Sequence, residues 1–154
     1  MPFSFLHVFV VIFSFFSVLA VPVFAAGTDD GSSTASSTAA GYAEAKAMAQ
    51  ARNYVAALPA LEKITKDDPQ NADAWNMLGF TYRMLGHNDQ SAQAYLVVLK
   101  INPNHLGALE YQGELFIQTG KLDLAKKNLV KLQGLCGNCE EYQDLDKALK
   151  TAGA

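Results

Sequence analysis

Apolar residues recur at a helical spacing through most of this chain, in short blocks that end at glycine or proline. Trp75, Leu78 and Tyr82 follow one another at intervals of three and four residues, which places them on one face of a helix. Gly86 interrupts this face, and a second apolar face then runs as far as Pro103. A glycine after the last apolar position is typical of a helix end, and the α conformation is unfavourable immediately before a proline. The pattern therefore predicts two helices joined by a short turn.

The two-helix pattern returns every 34 residues. Gly79 and Gly113 are separated by this distance, and so are Gly86 and Gly120. A fixed period of this length is the mark of a repeat protein in which each unit is one helix pair. The period divides the chain into three windows, residues 38–71, 72–105 and 106–139.

The second window resembles the tetratricopeptide repeat almost position by position. The matching residues are Trp75, Leu78, Gly79, Tyr82, Gly86, Ser91, Tyr95 and Pro103 in the second window, and Gly113, Phe116, Gly120 and Ala125 in the third. The third window departs from the family at Gln112, where leucine is usual, and the first keeps only Ala57, Leu61 and Pro69. The resemblance implies an all-α fold, a right-handed α-solenoid of three helix pairs.

Residues 140–150 predict a seventh helix that caps the third repeat. Tyr142, Leu145 and Leu149 form its apolar face, while acidic residues lead and lysines follow, as the helix dipole favours. A solenoid end left open would expose apolar surface, so a capping helix is expected there.

The first 28 residues contain no acidic or basic side chain. An apolar run ends in small residues before Ala25, which predicts a signal peptide over residues 1–25. No Lys or Arg precedes the run, so a retained membrane anchor at residues 3–21 stays an alternative. Under either interpretation the rest of the chain is exported, periplasmic or secreted.

Residues 26–40 are mostly Ser, Thr, Ala and Gly. Without large apolar side chains such a tract buries too little surface to offset its chain entropy, so a flexible spacer is predicted. The folded domain is then expected over residues 41–150.

The formal net charge of −3 shows no basic excess, which argues against a nucleic-acid-binding protein. A protein or peptide partner is expected instead. A membrane partner is expected only if the N-terminal segment is retained, and self-association through unpaired repeat surfaces is left open.

The resemblance also implies a binding groove, because the first helices of such arrays line a concave face. The residues expected there are Tyr42, Lys46, Gln50, Asn76, Phe80, Arg83, Met84, Glu110, Glu114 and Gln118. The family members that hold chaperone tails use Lys, Asn and Arg at fixed groove positions. This chain has Lys46 at one of them but Met77, Gly107 and Tyr111 at others, so chaperone-tail binding is not inferred.

Cys136 and Cys139 form the one motif that carries candidate chemistry. An exported protein favours a disulfide between them, and a thiol-redox or metal-binding role for the pair is the alternative function. Glu110 and Glu114 share a helix face, where a surface role is favoured over acid–base catalysis. No catalytic motif appears, so we predict a non-catalytic scaffold or adaptor of the cell envelope, without cofactor or metal.

Overall fold

The computed structural model describes residues 31–153, and every regular element in that range is an α-helix. The seven helices are α1 (Gly31–Gln50), α2 (Tyr54–Asp67), α3 (Ala72–Met84), α4 (Asn88–Ile101), α5 (Leu106–Gln118), α6 (Leu122–Cys136) and α7 (Glu140–Thr151). The prediction of an all-α helical repeat is confirmed. The predicted signal peptide or anchor lies outside the described residues.

Consecutive helices pack in pairs, α1 with α2, α3 with α4 and α5 with α6. Helix α7 packs against both α5 and α6. The helices α3, α5 and α7 begin at residues 72, 106 and 140, so α7 starts where the first helix of a fourth repeat would start. The stack therefore ends on half a repeat.

Glycine allows the closest approach within the second pair. A Cβ atom on Gly79 would lie 2.6 Å from Cε1 of the Tyr95 ring. The Ser91 hydroxyl also donates a hydrogen bond of 2.8 Å to the Gly79 carbonyl oxygen. At the turn between α3 and α4, Gly86 has φ +79°, a left-handed conformation that glycine adopts without steric cost. These small residues set the distance between the two helices.

Large apolar side chains fill the space beside these contacts. Leu61 is fully buried between α1, α2 and α3, Tyr95 between α4 and its neighbours, and Leu132 and Leu145 between α5, α6 and α7. Burial of one such side chain stabilises a fold by about 1.5–3 kcal/mol. The core is thus distributed along the stack, and each portion belongs to neighbouring helices.

The predicted flexible spacer differs from the structure. Helix α1 begins at Gly31, so residues 31–40 are helical and the folded region begins before residue 41. Extending an existing helix needs no new nucleus, and this tract contains no proline to stop it. Residues 26–30 of the predicted spacer lie outside the described part of the chain.

Helix α2 also begins earlier than Pro59 suggests. A late start was one expectation for this segment, but the helix begins at Tyr54 and contains Pro59. Proline has no N–H to donate to the carbonyl of Val55, four residues before it. Val55 is 75% exposed, so water can supply the missing partner.

None of the described helices combines the length and the apolar character that crossing a bilayer requires.

Candidate functional site

The first helices of the repeats line a groove of about 360 Å³, and α7 closes one end of it. Six of the ten residues predicted for the groove line this space, namely Tyr42, Lys46, Gln50, Asn76, Phe80 and Glu110. Its volume falls within the range of ligand-binding clefts.

An aromatic cluster lies at the middle of the groove. The rings of Phe80 and Tyr111 have centroids 5.1 Å apart, and Tyr54 packs edge-on against Phe80 at 5.9 Å. The guanidinium carbon of Arg83 lies 5.6 Å from the Phe80 ring centroid and 5.9 Å from that of Tyr111. Stacked aromatic rings give a ligand apolar contact area that costs little side-chain entropy.

Arg83 and Glu114 form an ion pair with each other. Both were expected to face a ligand, yet neither lines the groove, and the pair joins α3 to α5 beside the aromatic cluster. The Arg83 Nε atom is buried without a partner among the described residues. Because its charge is offset internally, Arg83 contributes little positive potential to the groove.

Glu110 is a nearly buried carboxyl group, with 8% of its surface exposed. Burial raises its pKa to about 8, and the neighbouring carboxylates of Glu114, Asp144 and Glu141 raise it further, while Arg83 lowers it. Removal from water and repulsion between like charges both disfavour the ionised form. Glu110 therefore keeps its proton at neutral pH in the free protein.

Asn76 occupies the equivalent position in the second repeat, 34 residues before Glu110. It is 8% exposed, and its Oδ1 atom is buried with no hydrogen-bond partner among the described residues. The other end of its amide faces Gly107, where a Cβ atom would lie 3.0 Å from Nδ2. An unpaired amide oxygen in a groove wall is an acceptor that a ligand can use.

Three acidic residues from α7 line the groove: Glu140, Glu141 and Asp144. They were interpreted as helix-dipole partners and not placed in the site. The 34-residue register carries the missing signal, because Asp144 continues the column of Asn76 and Glu110. The capping helix thus supplies groove residues as a fourth first helix would.

Asp73 and His105 join the rim of the groove. Ala108 donates its backbone N–H to Nδ1 of His105 at 3.1 Å, so the other ring nitrogen, Nε2, carries the hydrogen that faces Asp73 Oδ1 at 3.0 Å. His105 therefore caps α5, where an exposed turn residue was expected. Tyr42 donates a long hydrogen bond of 3.4 Å to the backbone oxygen of Asp73.

Met84 and Gln118, the remaining predicted groove residues, are not among those that line it. Met84 is 43% exposed at the end of α3. Gln118 donates to Asn88 Oδ1 at 3.4 Å. Both lie at the C-terminal ends of their helices, one turn beyond Phe80 and Glu114.

Cys136 and Cys139 lie between α6 and α7, with their sulfur atoms within bonding distance and their Cα atoms 5.6 Å apart. Gly137 adopts φ +69° in this turn. The turn can therefore hold a disulfide bridge. Within residues 31–153 there is no group of three or more His, Cys, Asp or Glu side chains placed to hold a metal ion.

The sequence model of the tetratricopeptide repeat family matches residues 48–112, from the end of α1 to the middle of α5. No curated protein sequence matches the chain.

Several solved structures share the fold. The type III secretion translocator chaperone SycD of Yersinia enterocolitica is 19% identical, with a TM-score of 0.66 over 76% of this chain and 89% of SycD. A structure of SycD in complex with a peptide of the translocator YopD gives the same identity and score, over 81% of this chain and 93% of that one. The first repeat domain of Spaghetti (RPAP3), bound to the HSP90 peptide SRMEEVD, is 18% identical, with a TM-score of 0.66 over 76% of this chain and 94% of that one. The repeat register, the family match and these folds agree, and the chain belongs to the tetratricopeptide repeat family.

Proposed function

We propose that this chain is an exported, non-catalytic adaptor that binds a segment of another protein in its concave groove. The observation that carries the proposal is the groove itself, in which helices from successive repeats present an aromatic cluster and the unpaired amide oxygen of Asn76 on one surface. Side chains held on packed helices lose little freedom when a ligand binds, which favours affinity.

The structural neighbours support a peptide as the occupant. SycD is bound to a YopD peptide in one structure, and the RPAP3 domain to an HSP90 peptide in another. Binding of a chaperone tail is not part of the proposal, because Met77, Gly107 and Tyr111 stand where tail-binding members carry basic or amide side chains.

Export to the periplasm or the exterior is the second part of the proposal. It rests on the apolar segment at residues 1–25 and on the Cys136–Cys139 turn, which can hold a disulfide suited to an oxidising compartment. A retained anchor at residues 3–21 would keep the domain in the same compartment. The thiol-redox alternative stays a prediction, and no further feature of the turn favours it.

Photo-crosslinking in cells tests the groove. A photoreactive amino acid is placed at Lys46 in the groove or, as a control, at Val130, which is 68% exposed on α6. Irradiation is expected to join a defined partner to the first position and not to the second. Phe80→Ala/Arg83→Ala should reduce that adduct, because it removes the centre of the aromatic cluster. Equal adducts from both positions, or adducts unaffected by the substitutions, would contradict binding in the groove.

A further inference from the structure

We propose that the groove selects a basic segment, with a Lys or Arg side chain of the bound peptide held at the end formed by α5 and α7. This inference rests on the proposed function and names the chemistry of its partner. Three kinds of observation on the groove wall carry it.

The first observation is the balance of charge. Five carboxyl groups line the groove, whereas Lys46 is its one basic side chain among the described residues. The acidic residues are Asp73, Glu110, Glu140, Glu141 and Asp144. An acidic peptide would meet repulsion along most of this wall, and a basic one would be attracted.

The second observation is the direction in which the charge changes. The repeat column that runs along the groove reads Tyr42, Asn76, Glu110 and Asp144, one residue from each first helix. Its first two members are uncharged and its last two are acidic. Lys46 lies at the α1 end, so the potential is most negative at the α5 and α7 end. A bound peptide is therefore oriented by its basic side chain.

The third observation is the unpaired amide of Asn76. Its Oδ1 atom has no partner among the described residues although the side chain is more than nine-tenths buried. A buried acceptor without a donor carries an energetic cost, which a peptide N–H would remove. Rotation about the last side-chain bond, which has a broad torsional preference, turns the oxygen toward a ligand in the groove.

The state of Glu110 agrees with a cationic ligand. Its raised pKa reflects repulsion by Glu114, Asp144 and Glu141 in addition to burial. A positive side chain among these groups would offset the repulsion and favour the ionised form. A bound metal ion is a weaker interpretation, because the described carboxylates do not form a ligating cluster.

The test uses the full chain and three labelled eight-residue peptides: alternating Lys and Leu, alternating Glu and Leu, and alternating Ser and Leu. Fluorescence anisotropy is expected to show the tightest binding for the lysine peptide. Its affinity should fall as salt is raised from 0.05 to 0.5 M, because ions screen exposed charges. Tighter binding of the glutamate peptide, or equal binding of all three, would overturn the proposal.

Matched charge variants separate the groove from the overall acidity of the protein. Glu141→Gln/Asp144→Asn removes two charges from the groove, and Asp89→Asn/Asp123→Asn removes two equivalent exposed charges from the first turns of α4 and α6. We expect the first pair to weaken lysine-peptide binding about fivefold to tenfold, corresponding to roughly 1–1.4 kcal/mol. The second pair should change it less than about twofold. Circular dichroism checks that both variants fold.

Equal losses in the two double variants would overturn the assignment to the groove. Glu110→Gln provides a further check, since it removes a charge from the same end and should also weaken binding. If photo-crosslinks form at Lys46 while the lysine peptide does not bind, the charge preference alone fails. If neither is observed, the proposed groove function fails as well.

Discussion

The second and third repeats follow one pattern of residues but are completed by different neighbours. In the second, Gly79 backs onto Tyr95 of its own second helix. In the third, the equivalent Gly113 backs onto Leu145 of α7, whose side chain would lie 2.6 Å from an added Cβ atom. The same small residue thus serves packing within a repeat in one case and packing between repeats in the other.

Their polar residues differ in the same way. Leu78 and Ala94 are buried in the second repeat, whereas Gln112 and Asn128 stand at the equivalent positions of the third and are hydrogen-bonded at 3.1 Å. The repeat period therefore determines the backbone positions, and the neighbouring helix determines which side-chain chemistry each position can hold. The third repeat holds the more polar set, beside the acidic α7.

Removal of Leu145 should have the largest effect, because the third repeat depends on α7. Leu145 is fully buried, and Gly113 opposite it has no side chain to fill a void. We expect Leu145→Ala to lower the free energy of unfolding by about 2–5 kcal/mol, measured by urea denaturation. Val130→Ala, at an exposed site of α6, should change it by less than about 0.5 kcal/mol. A loss below about 1 kcal/mol for Leu145→Ala would mean that α7 is not integral to the third repeat.

Exchange of the groove residues Asn76 and Glu110 sharpens the comparison through pH. The pKa of Glu110 is about 8 in the folded protein, against an ordinary value of 4.5. Between these values the folded state holds the proton more tightly than the unfolded state, so the free energy of unfolding falls as pH rises from about 4.5 to 8. Glu110→Gln removes this loss. We expect the variant to be more stable than the parent by on the order of 2 kcal/mol at pH 9.

Urea titrations at pH 4.5 and pH 9 measure this difference. At pH 4.5 the parent and Glu110→Gln should be close in stability, because Glu110 is protonated when folded and partly protonated when unfolded. Asn76→Gln serves as a control at the equivalent, uncharged position and should show no such trend. Parallel pH profiles for the parent and Glu110→Gln would contradict the raised pKa.

Alanine at the two glycines compares the two kinds of packing directly. In Gly79→Ala the new methyl group meets the buried Tyr95 ring, whereas in Gly113→Ala it meets the end of the flexible Leu145 side chain. Overpacking costs about 1–3 kcal/mol, and alanine returns up to about 1 kcal/mol in helix propensity. We expect a net loss of about 1–2 kcal/mol for Gly79→Ala and less for Gly113→Ala. Thermal unfolding of the pair decides, and the reverse order would contradict the assignment.

The fold was largely predictable because its signals are local. The turn at Gly86 and the start of α3 after Asn71 follow from residues a few positions apart, and the 34-residue period repeats them. The Arg83–Glu114 pair joins residues 31 apart, and no local pattern distinguishes such a pair from two ligand-facing charges. Phe80 and Asn76 were predicted correctly as groove residues because the repeat register alone places them.

The acidic end of the groove was missed for a different reason. Residues 140–150 were interpreted as a cap, since Gln143 and Asp146 stand where the repeat consensus has Trp and Leu. Extending the register from Glu110 by one period reaches Asp144, and from Gly107 it reaches Glu141. Groove positions are thus preserved in α7 although core positions are not. Register is therefore a better guide to the groove than the match to the consensus.

The Gln112–Asn128 pair gives the smallest and most specific test of the comparison. Asn128 donates to the Gln112 side-chain oxygen at 3.1 Å and to the Leu109 carbonyl oxygen at 2.9 Å. Asn128→Ala leaves the buried Gln112 oxygen without its partner, and we expect a loss of about 1 kcal/mol or more. Gln112→Leu/Asn128→Ala copies the residues of the second repeat and should recover most of that loss, because both polar groups are removed together. A double-mutant cycle in urea measures the coupling. If the double variant were less stable than Asn128→Ala alone, the third repeat would require its polar pair for a reason other than mutual hydrogen bonding, and the two repeats would differ in more than their neighbours.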